Sequence, residues 1–220
     1  MTARAGELSA DATADPKNWT NRLRNWFTGL VPPGQALPAT QPAYVASWIY
    51  VFGVLTLTSL VVIIASGCVL SLGGVQWWHV SSVGHFTNSV HLWSVELFFG
   101  FMVVHLWGKF WMAAWRGNRA LTWITGIVLF GISIGTSFTG FLSQSNFSAQ
   151  WIGAEGKDGI NAIGAGAFFN VLNPAQMLTW HVVLLPLAVG LITVLHIILV
   201  RRHGVVPPID ADLEGLSHES

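Results

Sequence analysis

Cysteine is almost missing from these 220 residues, with Cys68 standing alone. A single thiol excludes an internal disulfide, a Cys-x-x-Cys-His attachment for a covalent haem, and a self-contained thiolate cluster. What that leaves is a non-covalent cofactor held by nitrogen. Charge is scarce too. Asp, Glu, Lys and Arg make up 9% of the chain, against about 25% in soluble domains. Acids and bases balance at ten each, so there is neither the basic field that nucleic acid requires nor an acidic surface for storing cations. No secretory signal opens the chain. Such a signal needs a basic start followed at once by an apolar run, but the first 45 residues are polar, Ala-rich and broken by Pro32, Pro33, Pro38 and Pro42. The N-terminus is therefore expected in the cytoplasm.

Hydrophobic residues are abundant, at 52%. A membrane-crossing helix takes about 20 mostly apolar residues, and four segments qualify: Ser47–Leu72, Phe86–Trp115, Thr122–Leu142 and Ala175–Val200. Asn173-Pro174 marks the start of the fourth, a capping side chain followed by proline at the first helical position. Nine of the ten Lys and Arg residues lie before the first span, at the end of the second or between it and the third, or after the fourth; only Lys157 does not. The positive-inside rule then puts both termini in the cytoplasm, with the first and third spans running outward and the second and fourth inward. Residues 1–45 read as a cytoplasmic segment, 46–203 as the transmembrane domain and 204–220 as a cytoplasmic tail. Within the first segment, Asn18 to Phe27 mixes Trp19, Trp26 and Phe27 with Arg22 and Arg24, which suggests a short interfacial helix or else a disordered tail.

The second span carries His91 and His105, fourteen residues apart, and the fourth carries His181 and His196, fifteen apart. Each pair spans roughly 21–22 Å and returns to within about 40° or 60° of its starting direction, so it points to one side of its helix. Because the two spans run the same way, His91 is level with His181 near the outer face, and His105 with His196 near the inner face. Two facing imidazole pairs suit low-spin haem iron in a bundle core. A single intramembrane histidine is equally suited to bonding across helices, but four at matching levels favour the cofactor. Gly53 and Gly67 on the first span, and Gly126 and Gly140 on the third, repeat the fourteen-residue step. They fall at the inner and outer histidine levels respectively, where a residue without Cβ admits a close approach to the backbone.

Several motifs carry a family resemblance. They are Val31-Pro32-Pro33, Thr56-Leu57-Thr58, Ser89-Val90-His91 with Trp93-Ser94, Leu121-Thr122-Trp123-Ile124-Thr125-Gly126, Thr139-Gly140, and His181 followed by Pro186 and His196. From about Leu30 to Val205 the chain resembles the N-terminal, haem-bearing part of cytochrome b, and the fifteen-residue step resembles the separate cytochrome b6 type of subunit. The resemblance implies an all-α four-helix membrane bundle with two non-covalent b-type haems ligated by His91, His105, His181 and His196 and framed by Gly53, Gly67, Gly126 and Gly140. It also implies quinone or quinol as substrate and a dimeric, energy-transducing complex in a bacterial-type plasma membrane or its equivalent. The expected partners are a subunit resembling subunit IV, an iron–sulfur protein and a c-type cytochrome, and no nucleic acid.

Some positions depart from the family. Gln144 and Ser145 stand where the family has Pro-Trp beside its outer quinol site, and Val51 stands where the b6 type has a cysteine tethering an extra haem, so no covalent haem is expected. Asn88, Leu92 and Gly108 replace arginines that pair with haem propionates. Lys109, Arg119, Arg201 and Arg202 are candidates for the inner propionates, although solvated positive-inside flanks explain them equally well. His203 is a candidate for the inner quinone site or a surface histidine. Glu96 suggests a proton relay or quinone contact, or else a protonated carboxyl paired to a neighbour. His79, His85 and His218 are expected in loops or the tail. The leading expectation is a di-haem electron-transfer subunit of a quinol-oxidising bc or b6f-like complex, with no complete active site of its own. One alternative is a di-haem anchor linking quinone to a soluble oxidoreductase such as a molybdenum enzyme, which the loss of Pro-Trp favours; the other is a haem-free helical scaffold or transporter subunit.

Overall fold

The computed structural model describes residues 19–36 and 43–208, and the chain divides into two units, residues 1–41 and 42–220. The first contains α1 (Trp19–Leu30) and the short α2 (Pro33–Ala36). Trp19, Leu23, Trp26 and Phe27 are exposed and recur at the three- and four-residue steps that form one apolar stripe.

The second unit opens with two 3₁₀ turns, Ala43–Ala46 and Trp48–Tyr50, and then runs through α3 (Val51–Gly73), α4 (Val75–Val80), α5 (Ser82–Trp111), α6 (Ala120–Ser143) and α7 (Phe147–Ala162). It ends with α8 (Pro174–Thr179), a π turn (Trp180–Leu184) and α9 (Leu185–His203). Four stretches are long and apolar enough to cross a membrane: Trp48–Gly73, Ser82–Trp111, Gly117–Ser143 and Pro174–His203. The protein is an integral membrane protein.

Helix boundaries follow local chemistry. α3 stops at Gly74, whose φ of 78° lets its N–H close on the Leu70 carbonyl. α5 starts at Ser82, ahead of the expected Phe86, because the Ser81 hydroxyl accepts the Gly84 N–H. It ends at Trp111 instead of Trp115 because Ala113 turns to a φ of 52°. His79 consequently lies on α4 and His85 in the first turn of α5, not in loops, and both are exposed. Asn146 caps α7 through the Ala149 N–H, and Asn173 caps α8 through the Gln176 N–H, with Pro174 in the first turn. His218 lies outside the described residues.

The bundle is polar inside and apolar outside. Its buried polar residues are Ser59, Ser66, His91, Ser94, Thr125, Ser133, Thr139 and Ser143, while Val54, Val61, Ile64, Leu191 and Val194 are exposed. Lipid is as apolar as leucine, so membrane helices associate through small and polar side chains instead of apolar burial. α3 packs along α5, and α6 along α9, making two hairpin-like pairs whose backbones approach each other only sparsely, chiefly between α5 and α6. An apolar cluster of Leu142, Val171 and Met177, with Phe138, Ile160, Phe169 and Trp180 around it, closes one end of the α6–α9 pair. α7 covers that end, where a Cβ at Gly153 would lie 3.4 Å from Leu142 and one at Gly156 would lie 3.1 Å from Phe138. At the other end, which carries Lys109, Arg116, Arg119, Arg201 and Arg202, Tyr50 donates its hydroxyl to the Val206 carbonyl at 2.8 Å.

Candidate cofactor site between the helix pairs

All four transmembrane histidines meet in the space between the two helix pairs, on two levels. At the level away from the basic end, the His91 and His181 rings have centroids 6.1 Å apart and planes at 86°. At the basic end, His105 and His196 lie within electrostatic reach of each other.

Hydrogen bonds fix which ring nitrogen is free. His91 Nδ1 lies 3.1 Å from the Ile63 carbonyl and 3.0 Å from Ser66 Oγ, whose own proton goes to the Val62 carbonyl at 2.7 Å. Both neighbours can only accept, so Nδ1 carries the proton and Nε2 keeps its lone pair. His181 Nδ1 donates in the same way to the Thr136 carbonyl at 2.8 Å. His196 Nδ1 donates to Thr125 Oγ1 at 3.0 Å, because that hydroxyl is committed to the Thr122 carbonyl at 2.8 Å. Second partners of this kind orient an imidazole for metal ligation through its other nitrogen. His105 Nδ1 is the exception, buried without a hydrogen-bond partner.

Each glycine of the fourteen-residue pattern stands against one imidazole. A Cβ at Gly53 would lie 3.1 Å from His105 Cε1, at Gly67 3.2 Å from His91 Cε1 and at Gly126 3.3 Å from His196 Cε1, while at Gly140 it would overlap the His181 ring. The acceptors follow a rule: Ile63 precedes Gly67 by four residues and Thr136 precedes Gly140 by four. Thr122, whose carbonyl accepts from the Thr125 hydroxyl that meets the His196 ring, precedes Gly126 by four. A missing side chain one turn along opens the path to a helix carbonyl that would otherwise be covered. The fourth such acceptor would be Ile49, which sits in the 3₁₀ turn Trp48–Tyr50, and here the His105 ring finds no bond.

The fifteen-residue step has a structural counterpart. His181 lies in the π turn Trp180–Leu184, which takes up one residue more than an α turn. Fifteen residues therefore advance like fourteen α-helical ones, bringing the misalignment from about 60° back to about 40°. Pro186, which has no N–H to offer the Val182 carbonyl, sits just beyond the turn.

These features admit a planar, metal-centred macrocycle. A metal bonded to two imidazole nitrogens at about 2.0–2.1 Å each sets their ring centres roughly 6 Å apart, close to the His91–His181 spacing. Among the described residues no group of three or more His, Cys, Asp or Glu side chains gathers anywhere, so a metal held here takes its remaining donors from a non-protein ligand.

Other candidate residues scatter around this centre. Arg201 and Arg202 are exposed and His203 is half-buried, its Nδ1 3.4 Å from Thr122 Oγ1. Glu96 is exposed on α5, without the neighbour that a paired carboxyl requires among the described residues. Val51 is 47% exposed. Gln144 ends α6 and Ser145, at a φ of 56°, turns the chain toward α7. Ser66 and Thr136, which orient imidazoles, carried no signal of their own in the sequence beyond lying on the helix turn before a patterned glycine, whereas Thr125 stood within the motif Leu121-Thr122-Trp123-Ile124-Thr125-Gly126.

Fold and site together define a class, a four-span membrane bundle with two stacked imidazole pairs between its helix pairs. The family described as "Cytochrome b(N-terminal)/b6/petB" matches residues 96–216. The chain belongs to this family, whose members typically bind b-type haems. It is 28% identical over 200 residues to a cytochrome bc complex cytochrome b subunit of Chlorobaculum thiosulfatiphilum, covering 80% of this chain and 46% of that protein. To a cytochrome b6 of Heliobacterium mobile it is 28% identical over 189 residues, covering 76% of this chain and 89% of the relative. Its fold matches a chain of a hyperthermophilic respiratory Complex III with a TM-score of 0.69 at 19% identity, covering 88% of this chain and 56% of that one. The chain thus spans about half the length of the Chlorobaculum and Complex III proteins.

Proposed function

We propose that this protein is the di-haem subunit that carries electrons across the membrane within a quinol-oxidising complex of the bc or b6f type. His91 and His181 hold one non-covalent b-type haem, and His105 and His196 hold the other. The basic end faces the cytoplasm, as the positive-inside rule requires, so the first haem is the outer one and the second the inner. The observation that carries this reading is the outer pair, with rings 6.1 Å apart and each Nδ1 already committed to a backbone carbonyl.

Haem supplies reversible one-electron exchange at iron. The protein's part is to present neutral imidazoles through Nε2, to seat those rings against the helix backbone at Gly53, Gly67, Gly126 and Gly140, and to keep water out with apolar helices. His203, beside Arg201 and Arg202 at the inner end, stands where a quinone ring would find a donor. An iron–sulfur protein, a c-type cytochrome and a subunit with the remaining helices complete a dimeric assembly.

Reduced-minus-oxidised spectra of membranes containing the protein are expected to resolve two b-type components. Leucine at His91 or His181 removes one, and leucine at His105 or His196 removes the other. Absence of a b-type band, or losses that do not sort by pair, overturns the proposal.

Gln144 and Ser145 favour a second reading, a di-haem anchor between quinone and an attached soluble oxidoreductase, since they replace the residues the family places beside its outer quinol site. Purification of the native assembly separates the two. Recovery without an iron–sulfur protein and without a further helical subunit selects the anchor.

A further inference from the structure

Glu96 is the fifteenth of the thirty residues of α5. Its carboxyl therefore lies roughly 20 Å along the axis from either end of the helix, too far for a two-carbon stem to reach the membrane surface. Carboxyl groups at such a depth are costly and face a bundle interior or a water-filled cavity. This one turns away from the bundle. Measured around α5 from the direction of His91, the buried Ser94, Phe98 and Met102 lie within about 60°, whereas Glu96 points about 140° away and is exposed. The other ionisable groups of α5 do not meet it: His91, His105 and Lys109 point toward the bundle, and His85 is eleven residues, about 16 Å, distant.

Around Glu96 the outer face of α5 is built like a helix contact. Trp93, Glu96, Gly100, Val103 and Trp107 are all exposed. They recur at steps of three and four residues and lie within about 40° of the direction opposite the buried side. Stripes of this spacing accept a second helix alongside. A Cβ at Gly100 would meet nothing within 4 Å, so the gap between Trp93 and Trp107 is left unfilled by the described residues. Small residues at such a point let a neighbouring backbone come close.

Charge decides what covers this face. Lipid tails offer a carboxyl no donor. A second copy of the chain, inserted in the same direction, would bring Glu96 against Glu96 at equal depth. We propose that the stripe from Trp93 to Trp107 receives a transmembrane helix of another subunit, which sets a Lys or Arg side chain against Glu96 and a small residue against Gly100. This rests on the reading above in which further membrane subunits complete the complex, and it is independent of the haems.

The test places the photoreactive residue p-benzoylphenylalanine at Val103 of the full chain, in membranes holding the native complex. Irradiation is expected to join it to one other membrane subunit, mapped by mass spectrometry to a span whose Lys or Arg lies about two turns, roughly 10 Å, to the outer side of the attachment point. Glu96→Lys is then expected to lower recovery of that subunit with the purified chain about tenfold, and charge reversal of the partner's cation to restore it. Both b-type bands, which measure the di-haem reading separately, stay unchanged. Should Glu96→Lys fail to insert, Glu96→Leu, which lipid accepts, takes its place: loss of the partner supports the contact and full recovery overturns it. An adduct with a second copy, with residues 1–41 of the same chain or with lipid alone overturns the proposal. So does a partner span without Lys or Arg, or recovery that Glu96→Lys leaves unaltered. Wild-type chain purified with no other membrane subunit overturns the complex reading along with this contact, whereas the other failures leave that reading standing.

Discussion

Alanine at Gly140 is the harshest of four chemically identical substitutions, because its Cβ would overlap the His181 ring, whereas the corresponding contacts at Gly53, Gly67 and Gly126 are 3.1, 3.2 and 3.3 Å. The last three need the imidazole to yield by a few tenths of an ångström. At Gly140 the ring must leave its position and surrender the Thr136 bond. Overpacking of this kind costs about 1–3 kcal/mol. Gly140→Ala is therefore expected to abolish the outer b component in difference spectra, with Gly126→Ala retaining most of the inner one; equal effects would remove steric contact as the cause. Ser66→Ala should matter much less, at or below about 1 kcal/mol, since the Ile63 carbonyl still accepts the His91 proton.

The π turn shows how an element can hide an irregularity that residue counting reports only as a number. Deleting Val183 alone leaves Pro186 in a plain α-helix, at a cost of about 3 kcal/mol. Deleting it together with Pro186→Ala lets Trp180–Leu184 relax to α geometry while His181 keeps its direction relative to His196. Both b components are expected to survive the double change, whereas deletion of Leu191, within α9, rotates the two histidines about 100° apart in phase and loses one component. Loss in both constructions would deny the turn its compensating role. The spans, the histidine levels and the glycine steps were all legible in the sequence, since each is a periodicity of residue types. The acceptors of the imidazole protons were not, because a backbone carbonyl belongs to every residue alike. α7 was missed for another reason. Gly153, Gly156 and Gly159 each cost a helix about 1 kcal/mol relative to alanine, yet Gly156 lets it lie close against Phe138, which a Cβ there would approach to 3.1 Å. The early start of α5 depends on a single side-chain cap at Ser81.

For the molecule as a whole, the sparse approach between the α3–α5 and α6–α9 pairs has a consequence for its life in the cell. Little backbone approach ties the halves, so on the di-haem proposal the haems are the chief adhesive, since any ligand that binds only the assembled form stabilises it by mass action. The chain's lifetime then becomes a readout of tetrapyrrole supply. Pulse-labelled protein in haem-starved cells is expected to decay several-fold faster than in replete cells, and His91→Leu/His105→Leu protein should decay fast in both; equal lifetimes would show that the halves hold without it. On the same proposal such a bundle would police its own assembly, because copies that never receive haem would be the ones a membrane protease finds open.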